Sequence, residues 1–555
     1  MIFLKEKETK KTNRNLKLLN QGFTLVELLA VIVVLAIVLI IAVPGVLSII
    51  NKTKNSAYDR QIDMIKDAAK NYVTANTIAW AGENPKSTVV TLDMLQSSGY
   101  LDKKILDPRD KKEILCANVL VSKDNKNKVT YDVDMACNDV QPITPRVGSG
   151  MIPIVYDGTN WRKADTSNKS FAWFNYGNQQ WANVATVTED VRQTLLDAPV
   201  DTIVPMDKIN TMFTWIPRFK YKLFNVDGTV SPVGNKNLVE DYMIDIKFET
   251  ASTPKSTGTQ NGQWLTHPAF TFGGQELEGF WMAKFETGYL GATTTTEAQS
   301  NTVDPTKIIV KPSVYSWREV NISNMYKNAQ GMKDASNPYG FTTTEDPHMA
   351  KNMEWGAMAY LTQSKYGKQG NDSYGGVEKQ VRINNNSIYL TGCGADSQDA
   401  LKTTICDAYE TVNGMSASTT GNITGVYDTS GGAWDTVAGV MKASNGTDLL
   451  VLQSGFDQAE LNQLGRDGKY LDVYDYGTTW QDWSRGHLGD ATLEMGPFNS
   501  HAGSWYDDYG AFVSDPNSWF VRGTNWGHAE AAGLLSFSCT NGQTNSSWSS
   551  RIVTL

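Results

Sequence analysis

Gly22-Phe23-Thr24-Leu25-Val26-Glu27 separates a basic leader from an apolar run, and its reading decides how the first part of the chain folds. Residues 1–22 are polar and carry Lys5, Lys7, Lys10, Lys11, Arg14 and Lys17. From Phe23 the chain is apolar as far as Val43, interrupted by Pro44. That is about 20 residues, enough to cross a bilayer as a helix. The basic flank predicts a cytoplasmic leader and a single pass, with the C-terminal bulk extracytoplasmic. Glu27 does not fit a plain anchor, because a carboxylate at membrane depth is costly and marks a functional contact. A secretory signal peptide would carry small residues after its apolar region. Here the candidate cut lies before that region.

Gly22, Phe23 and Glu27, with the leader and apolar run around them, resemble the prepilin cleavage and methylation motif of type IV pilins and pseudopilins. The resemblance implies that a prepilin peptidase cuts after Gly22 and that Phe23 becomes the methylated N-terminus. It also implies that Glu27 meets the N-terminal amine of another pilin subunit, each charge offsetting the cost of burying the other. The alternative is a plain signal anchor.

Beyond Pro44 the pattern turns amphipathic. Tyr58, Ile62, Ile65, Ala69, Tyr72 and Val73 recur at helical spacing, and Gly82 and Pro85 supply stop signals. Val89–Thr91 reads as extended, Thr91–Leu95 as a short helix, and Ile114–Ser122 with Lys128–Val133 as a hairpin. The expected fold class is α+β. It comprises a leader (1–22), a pilin-like domain with a long helix on a small antiparallel sheet (23–140), and a Pro/Gly-rich linker (141–150). A small aromatic β-rich module (151–204) and a larger α+β domain (205–555) follow.

A chain of 555 residues exceeds one ordinary domain. Its net charge of −9 argues against nucleic acid as a partner. Trp80 is the only tryptophan before residue 142, so composition changes sharply there. If the chain is exported, Cys116–Cys137 and Cys393–Cys406 are candidate disulfides, with Cys539 left over. The alternative is five unpaired, packed cysteines.

In the second part, 213–224, 245–249 and 279–286 read as strands, Ser313–Trp317 as the start of a helical region, and Met349–Tyr366 as a helix. The strings Phe280–Glu286, Glu354–Ala357, Gly421–Asp428, Gly431–Asp435, Phe520–Gly523 and Arg551–Leu555 have a familiar order. It resembles the C-type-lectin-like fold of the formylglycine-generating-enzyme family and related ligand-binding domains. Those enzymes use a close cysteine pair. Cys539 has no sequence neighbour, so no catalytic residue is carried over. HExxH, GxSxG and phosphate-loop strings are also missing. Asp507, Asp508 and Asp515 are candidate calcium ligands, against the plainer reading of loop carboxylates that solvate a turn. No metal site or other cofactor is expected.

Near the C-terminus, Arg522, Gly523, Trp526, Gly533, Leu534 and Phe537 read as scaffold. Between and after them lie Asn525, His528, Glu530, Ser538, Thr540, Asn541, Gln543, Asn545 and Ser547. The pattern resembles the variable regions of retroelement-diversified proteins, where exposed side chains on a fixed frame sample ligands. The alternative is an ordinary polar end to the fold. The expected function is a minor or tip pilin-like surface protein in a pilus or pseudopilus, binding an extracellular protein or glycan. A pilin-anchored enzyme of the formylglycine-generating type and a structural pseudopilin for secretion or DNA uptake are the alternatives.

Overall fold

Ile65, Ala68 and Ala69 lie on one stripe of helix 56–75 and are almost wholly buried, as their spacing requires. They belong to a computed structural model that describes residues 53–54, 56–76, 86–109, 111, 114, 117–124, 126–134, 144–166, 173–226, 243–371, 373–374, 379–495 and 508–555. Gly22, Phe23, Glu27, Cys116, Cys137 and Asp507 lie outside these residues. Among the described residues no helix is long and apolar enough to cross a membrane. The apolar run 23–43 is not among them. The chain divides into two compact units, with the boundary between Asn138 and Asp139.

In the first unit, Lys86–Thr91, Asn118–Lys123 and Val129–Asp134 form a three-stranded antiparallel sheet in that order. The middle strand alternates: Val119 and Val121 are fully buried and Leu120 is 44% exposed. That period of two presents one apolar face. Val119 and Val121 share a core with the helix stripe and with Leu92 and Leu95 of the short helix Leu92–Ser97. Tyr72 of the helix meets Tyr100 edge-on, ring centres 5.6 Å apart.

Among the described residues the two largest sheets of the second unit have seven and five strands. The larger is ordered His348–Met349, Ile552–Thr554, Gly279–Ala283, Ile209–Pro217, Asn183–Val187, Ile152–Tyr156 and Trp161–Lys163. All its pairs are antiparallel. The sheet crosses the boundary expected at 204/205. The aromatic strands of 151–204 hydrogen-bond directly to Ile209–Pro217, which needs partners on both edges because it is buried at every position. Residues 144–150, expected as linker, are docked on this unit: the Trp281 indole N–H donates to the Arg146 carbonyl at 2.8 Å.

The second sheet centres on Trp434–Met441. Trp519–Arg522 pairs with it on one side and carries Phe537–Thr540 beyond. Asp472–Tyr474 and Trp548–Ser550 share its other side, both parallel to it. Helix Asn352–Thr362 is buried at all positions; most are apolar, and its buried Asn352 and Glu354 are hydrogen-bonded. It starts where the Glu354 carboxylate accepts the Lys351 backbone N–H at 2.9 Å. Gly356 faces the Gly489 carbonyl so closely that an added Cβ would lie 1.9 Å from it.

The helical region expected from Ser313–Trp317 is instead turns and isolated bridges. Ser313 and Glu319 adopt left-handed backbone, φ +60° and +58°, which breaks a right-handed helix. The helix begins at Ile322, where the Asn321 side chain accepts the Asn324 N–H at 2.9 Å.

Glu494 is fully buried and accepts hydroxyl hydrogen bonds from Tyr221 and Tyr360, plus the Gly489 N–H at 2.8 Å. Burial pushes its carboxyl up from the ordinary 4.5 to about 7. Between those values the folded state holds a proton that the unfolded chain releases. Stability therefore falls as pH rises through that window, by about 3 kcal/mol in all. Chemical unfolding at a series of pH values should show Glu494→Gln losing that part of the slope between about pH 4.5 and 7.

Candidate ligand-binding face

Asp435 lies at the start of the central strand, opposite Arg522 in register, and is wholly buried. Its Oδ2 accepts from Arg551 Nε at 3.0 Å and from Arg551 Nη2 at 2.8 Å. Arg551 also donates to the carbonyls of Ala283 at 2.9 Å, Tyr427 at 3.0 Å and Asp428 at 3.1 Å. One guanidinium thus joins both sheets and the 427–428 loop. Burial raises the Asp435 carboxyl to about 6 even beside Arg551. Two more buried carboxylates flank this pair. Asp428 Oδ1 accepts from Asn384 Nδ2 and from the Gly392 N–H, each at 2.8 Å. Glu286 accepts the Ala433 N–H at 2.8 Å and the Ser316 hydroxyl. Burial, first, and their mutual repulsion raise the Glu286 carboxyl well above its usual range.

This network fixes the turn before the central strand. Gly432 has φ +70°, and a Cβ there would lie 2.5 Å from Glu286 Oε1. The 523–532 loop hangs on that turn. The Trp526 N–H donates to the Gly432 carbonyl at 3.0 Å, and the Gly431 N–H donates to the Gly523 carbonyl at 2.9 Å. Below it, Arg522 is fully buried between Trp355 and Phe537, 5.7 and 5.5 Å from their ring centres. Burial lowers its guanidinium to about 10.

Within the loop, Asn525 Oδ1 accepts the Gly527 N–H at 3.0 Å, and Ala529–Ala531 make one 3-10 turn. Asn525 and His528 are half-buried and Glu530 is exposed. The His528 ring lies 5.4 Å from Trp434 and 6.1 Å from Tyr509, edge-on in both cases. Trp526 lies 6.1 Å from Tyr389. The Tyr389 hydroxyl shares a 2.9 Å hydrogen bond with Ser547, whose carbonyl accepts the Trp434 N–H at 2.8 Å. Asn545 is tied to this edge by the Ser547 N–H, at 2.7 Å from its Oδ1. The outcome is an aromatic cluster in which Trp434 and Tyr389 are buried and Tyr509 and Trp526, the latter expected as scaffold, are half-buried, with small polar side chains around it.

The structure does not gather every expected residue there. Thr540 is only 2% exposed and its Oγ1 accepts the Gly542 N–H at 3.1 Å, so it belongs to the frame. Ser538 lies on the Phe537–Thr540 strand opposite Val521. Asn541 and Gln543 form a tight turn at the Trp519 end of that strand pair, and Asn525–Glu530 follow the Arg522 end. Asp508 is buried and accepts the Leu535 N–H at 2.9 Å; Asp515 accepts the Tyr476 hydroxyl at 3.1 Å. Their oxygens serve the fold and do not converge. Among the described residues no acidic, histidine or cysteine group is placed to hold a metal ion.

Cys393 and Cys406 are joined by a disulfide. The loop between them braces the patch. Gln398 Nε2 donates to the Ala532 carbonyl at 2.6 Å, and the Lys402 ammonium lies 5.4 Å from the Trp526 ring centre. Leu401 and Ile405 stand out of it, 87% and 74% exposed. Tyr389, Leu401, Lys402, Ile405 and Tyr509 escaped the sequence reading because they are far from 525–547 in the chain. Two apolar residues inside a polar, cysteine-bounded loop were the available signal.

A family model described as the prokaryotic N-terminal methylation motif matches residues 18–43. No curated protein matches the chain. The chain therefore carries a prepilin-type motif, which implies a prepilin peptidase, assembly with other pilins and membrane anchoring at the cell surface.

Removing Arg551 strands the buried Asp435 without its counter-charge. Arg551→Ala should lose about 3–5 kcal/mol in urea unfolding followed by tryptophan fluorescence. Glu530→Ala, at an exposed position, should change stability by less than about 0.5 kcal/mol.

Proposed function

We propose that the protein is a minor or tip subunit of a pilus or pseudopilus. Its C-terminal unit, of C-type-lectin-like character, binds an extracellular protein or glycan through the face around Trp526. The observation that carries this reading is the division of labour at residues 522–548. Arg522, Gly523, Leu534 and Phe537 are buried, whereas Asn525, His528, Glu530 and Asn545 reach the surface beside the half-buried Trp526 and Tyr509, over the buried Tyr389 and Trp434. Rigid aromatic anchors among adaptable polar groups are the composition of a paratope. The same division would let a retroelement vary the surface residues without disturbing the frame. A unit spanning 139–555 would crowd a shaft of repeated subunits, which favours a minor or tip position.

Cys539 weighs against the enzyme reading. It is the free cysteine among the described residues, and burial raises its thiol to about 11. A thiol so held is a poor nucleophile at neutral pH. The fusion to a large second unit weighs against a purely structural pseudopilin.

N-terminal sequencing of the mature protein should begin at methylated Phe23; any other start contradicts prepilin processing. On glycan and extracellular-protein arrays, the full chain in detergent should bind a ligand. Trp526→Ala and the double change Asn525→Ala/His528→Ala should weaken that binding at least tenfold. Cys539→Ser should leave it unchanged. No array ligand, or equal binding by all variants, removes the face from the account.

A further inference from the structure

A concave surface lies outside the 525–547 residues, none of which lines it. A cleft of about 310 Å³ opens between the hairpin turn 157–160, residues 204–206, Pro312–Ser313 and Tyr409–Glu410. Its floor is aromatic and polar at once. The Trp161 indole N–H donates to the Tyr409 hydroxyl at 3.1 Å, with Trp161 3% and Tyr409 8% exposed. The tyrosine oxygen is thereby used as an acceptor, and its own O–H proton has no acceptor among the described residues. At the rim, the Asn160 amide, the Ser313 hydroxyl and the Glu410 carboxylate also make no hydrogen bond among the described residues.

The rim is held in place by neighbours outside the cleft. Asp157 Oδ1 accepts the Thr159 N–H at 2.8 Å and the Asn160 N–H at 2.7 Å, and the Asp157 carboxylate pairs with Arg162. Ser313 is fixed with φ +60° by its N–H bond to the Thr391 carbonyl at 2.9 Å. Asn160 and Ser313 are thus presented at set positions across an aromatic floor.

The chemistry selects the ligand. Among the described residues no lysine or arginine lines the cleft and one carboxylate does. Nearby ammonium groups are spent outside it, Lys311 on the Met206 carbonyl at 3.2 Å and Lys284 on the Ile423 and Gly425 carbonyls, so the lining offers an anion no direct counter-charge. That carboxylate is exposed, where a lone charge contributes little to holding an ammonium. Val204, Pro205, Met206 and Pro312 supply apolar walls opposite hydroxyl and amide groups. A sugar ring has the same two characters, apolar C–H faces and an equator of hydroxyls. The volume is at the small end of ligand sites, about 300–1,000 Å³, and suits a short saccharide.

We propose that this cleft is a binding site for a neutral mono- or disaccharide. The Tyr409 O–H donates to a sugar oxygen, and the Asn160 amide pairs with adjacent hydroxyls. The site is separate from the face around Trp526 and does not depend on it. The test is calorimetric titration of the full chain in detergent with glucose, galactose, mannose, N-acetylglucosamine, lactose and cellobiose, and with methylamine. At least one neutral sugar should bind, weakened tenfold or more by Tyr409→Phe and by Asn160→Ala. Tyr409→Phe leaves the Trp161 N–H without its acceptor. Asn160→Ala changes only an exposed turn, so it keeps the test decisive if the first variant misfolds. Binding of no neutral sugar overturns the proposal, as does binding unchanged in Asn160→Ala. So does a sugar lost with His528→Ala but retained by Asn160→Ala, which would belong to the other face. Binding of methylamine alone, abolished by Glu410→Gln, would make the cleft a cation site and overturns it too.

Discussion

The buried ion pair between Arg551 and Asp435 is the contact on which the C-terminal unit depends. The arginine precedes the strand Ile552–Thr554, which lies inside the seven-stranded sheet, and the aspartate begins the central strand of the other sheet. Two buried charges alone would contribute little net stability, because desolvation offsets their attraction. Here the guanidinium also satisfies three backbone carbonyls, and the carboxylates of Asp428 and Glu286 satisfy backbone N–H groups nearby. The network therefore sets position more than energy. It fixes the Gly431–Gly432 turn, and that turn carries Trp526.

This arrangement separates what must stay constant from what can change. At the Gly431–Gly432 turn the groups that hold the 523–532 loop are backbone, the carbonyl of Gly432 and the N–H of Gly431, with the buried Arg522 beneath them. The Glu530 side chain is exposed, while the His528 ring packs edge-on against Trp434 and Tyr509. The disulfide-closed loop adds a second brace through Gln398, so the patch is gripped from two directions. A surface built this way can alter its chemistry without altering its shape, which is what a recognition surface at the end of an anchored chain requires. The anchor belongs to the other end, where the prepilin-type motif at 18–43 governs export and assembly.

Much of the local structure was legible in the sequence, because period and punctuation are local signals. The stripe of Ile65 and Ala69, the hairpin of Ile114–Ser122 with Lys128–Val133, and the helix around Trp355 were all read from local pattern. So were Glu354–Ala357 on its helix and the burial of Arg522 and Phe537. What the sequence hid was long-range. Strands of 151–204 look like a self-contained module because nothing in them names their partner 209–217. The helical reading at 313–317 failed because two left-handed residues, Ser313 and Glu319, are held by distant partners. Thr540 looked like a surface residue because polarity was taken as exposure, and its hydroxyl is spent on the Gly542 N–H. The members of the face that come from 389–405 and 509 meet it only through the fold.

The claim that a fixed frame carries a changeable surface is tested most directly by randomising Asn525, His528, Glu530 and Asn545 together in the displayed C-terminal unit and sorting the library by resistance to protease. Most members should be as resistant as the parent, while a parallel library at Asp428, Asp435 and Arg551 should collapse to near-parental residues. If the surface library is cleaved as readily as the buried one, those four side chains are part of the frame and the account is wrong.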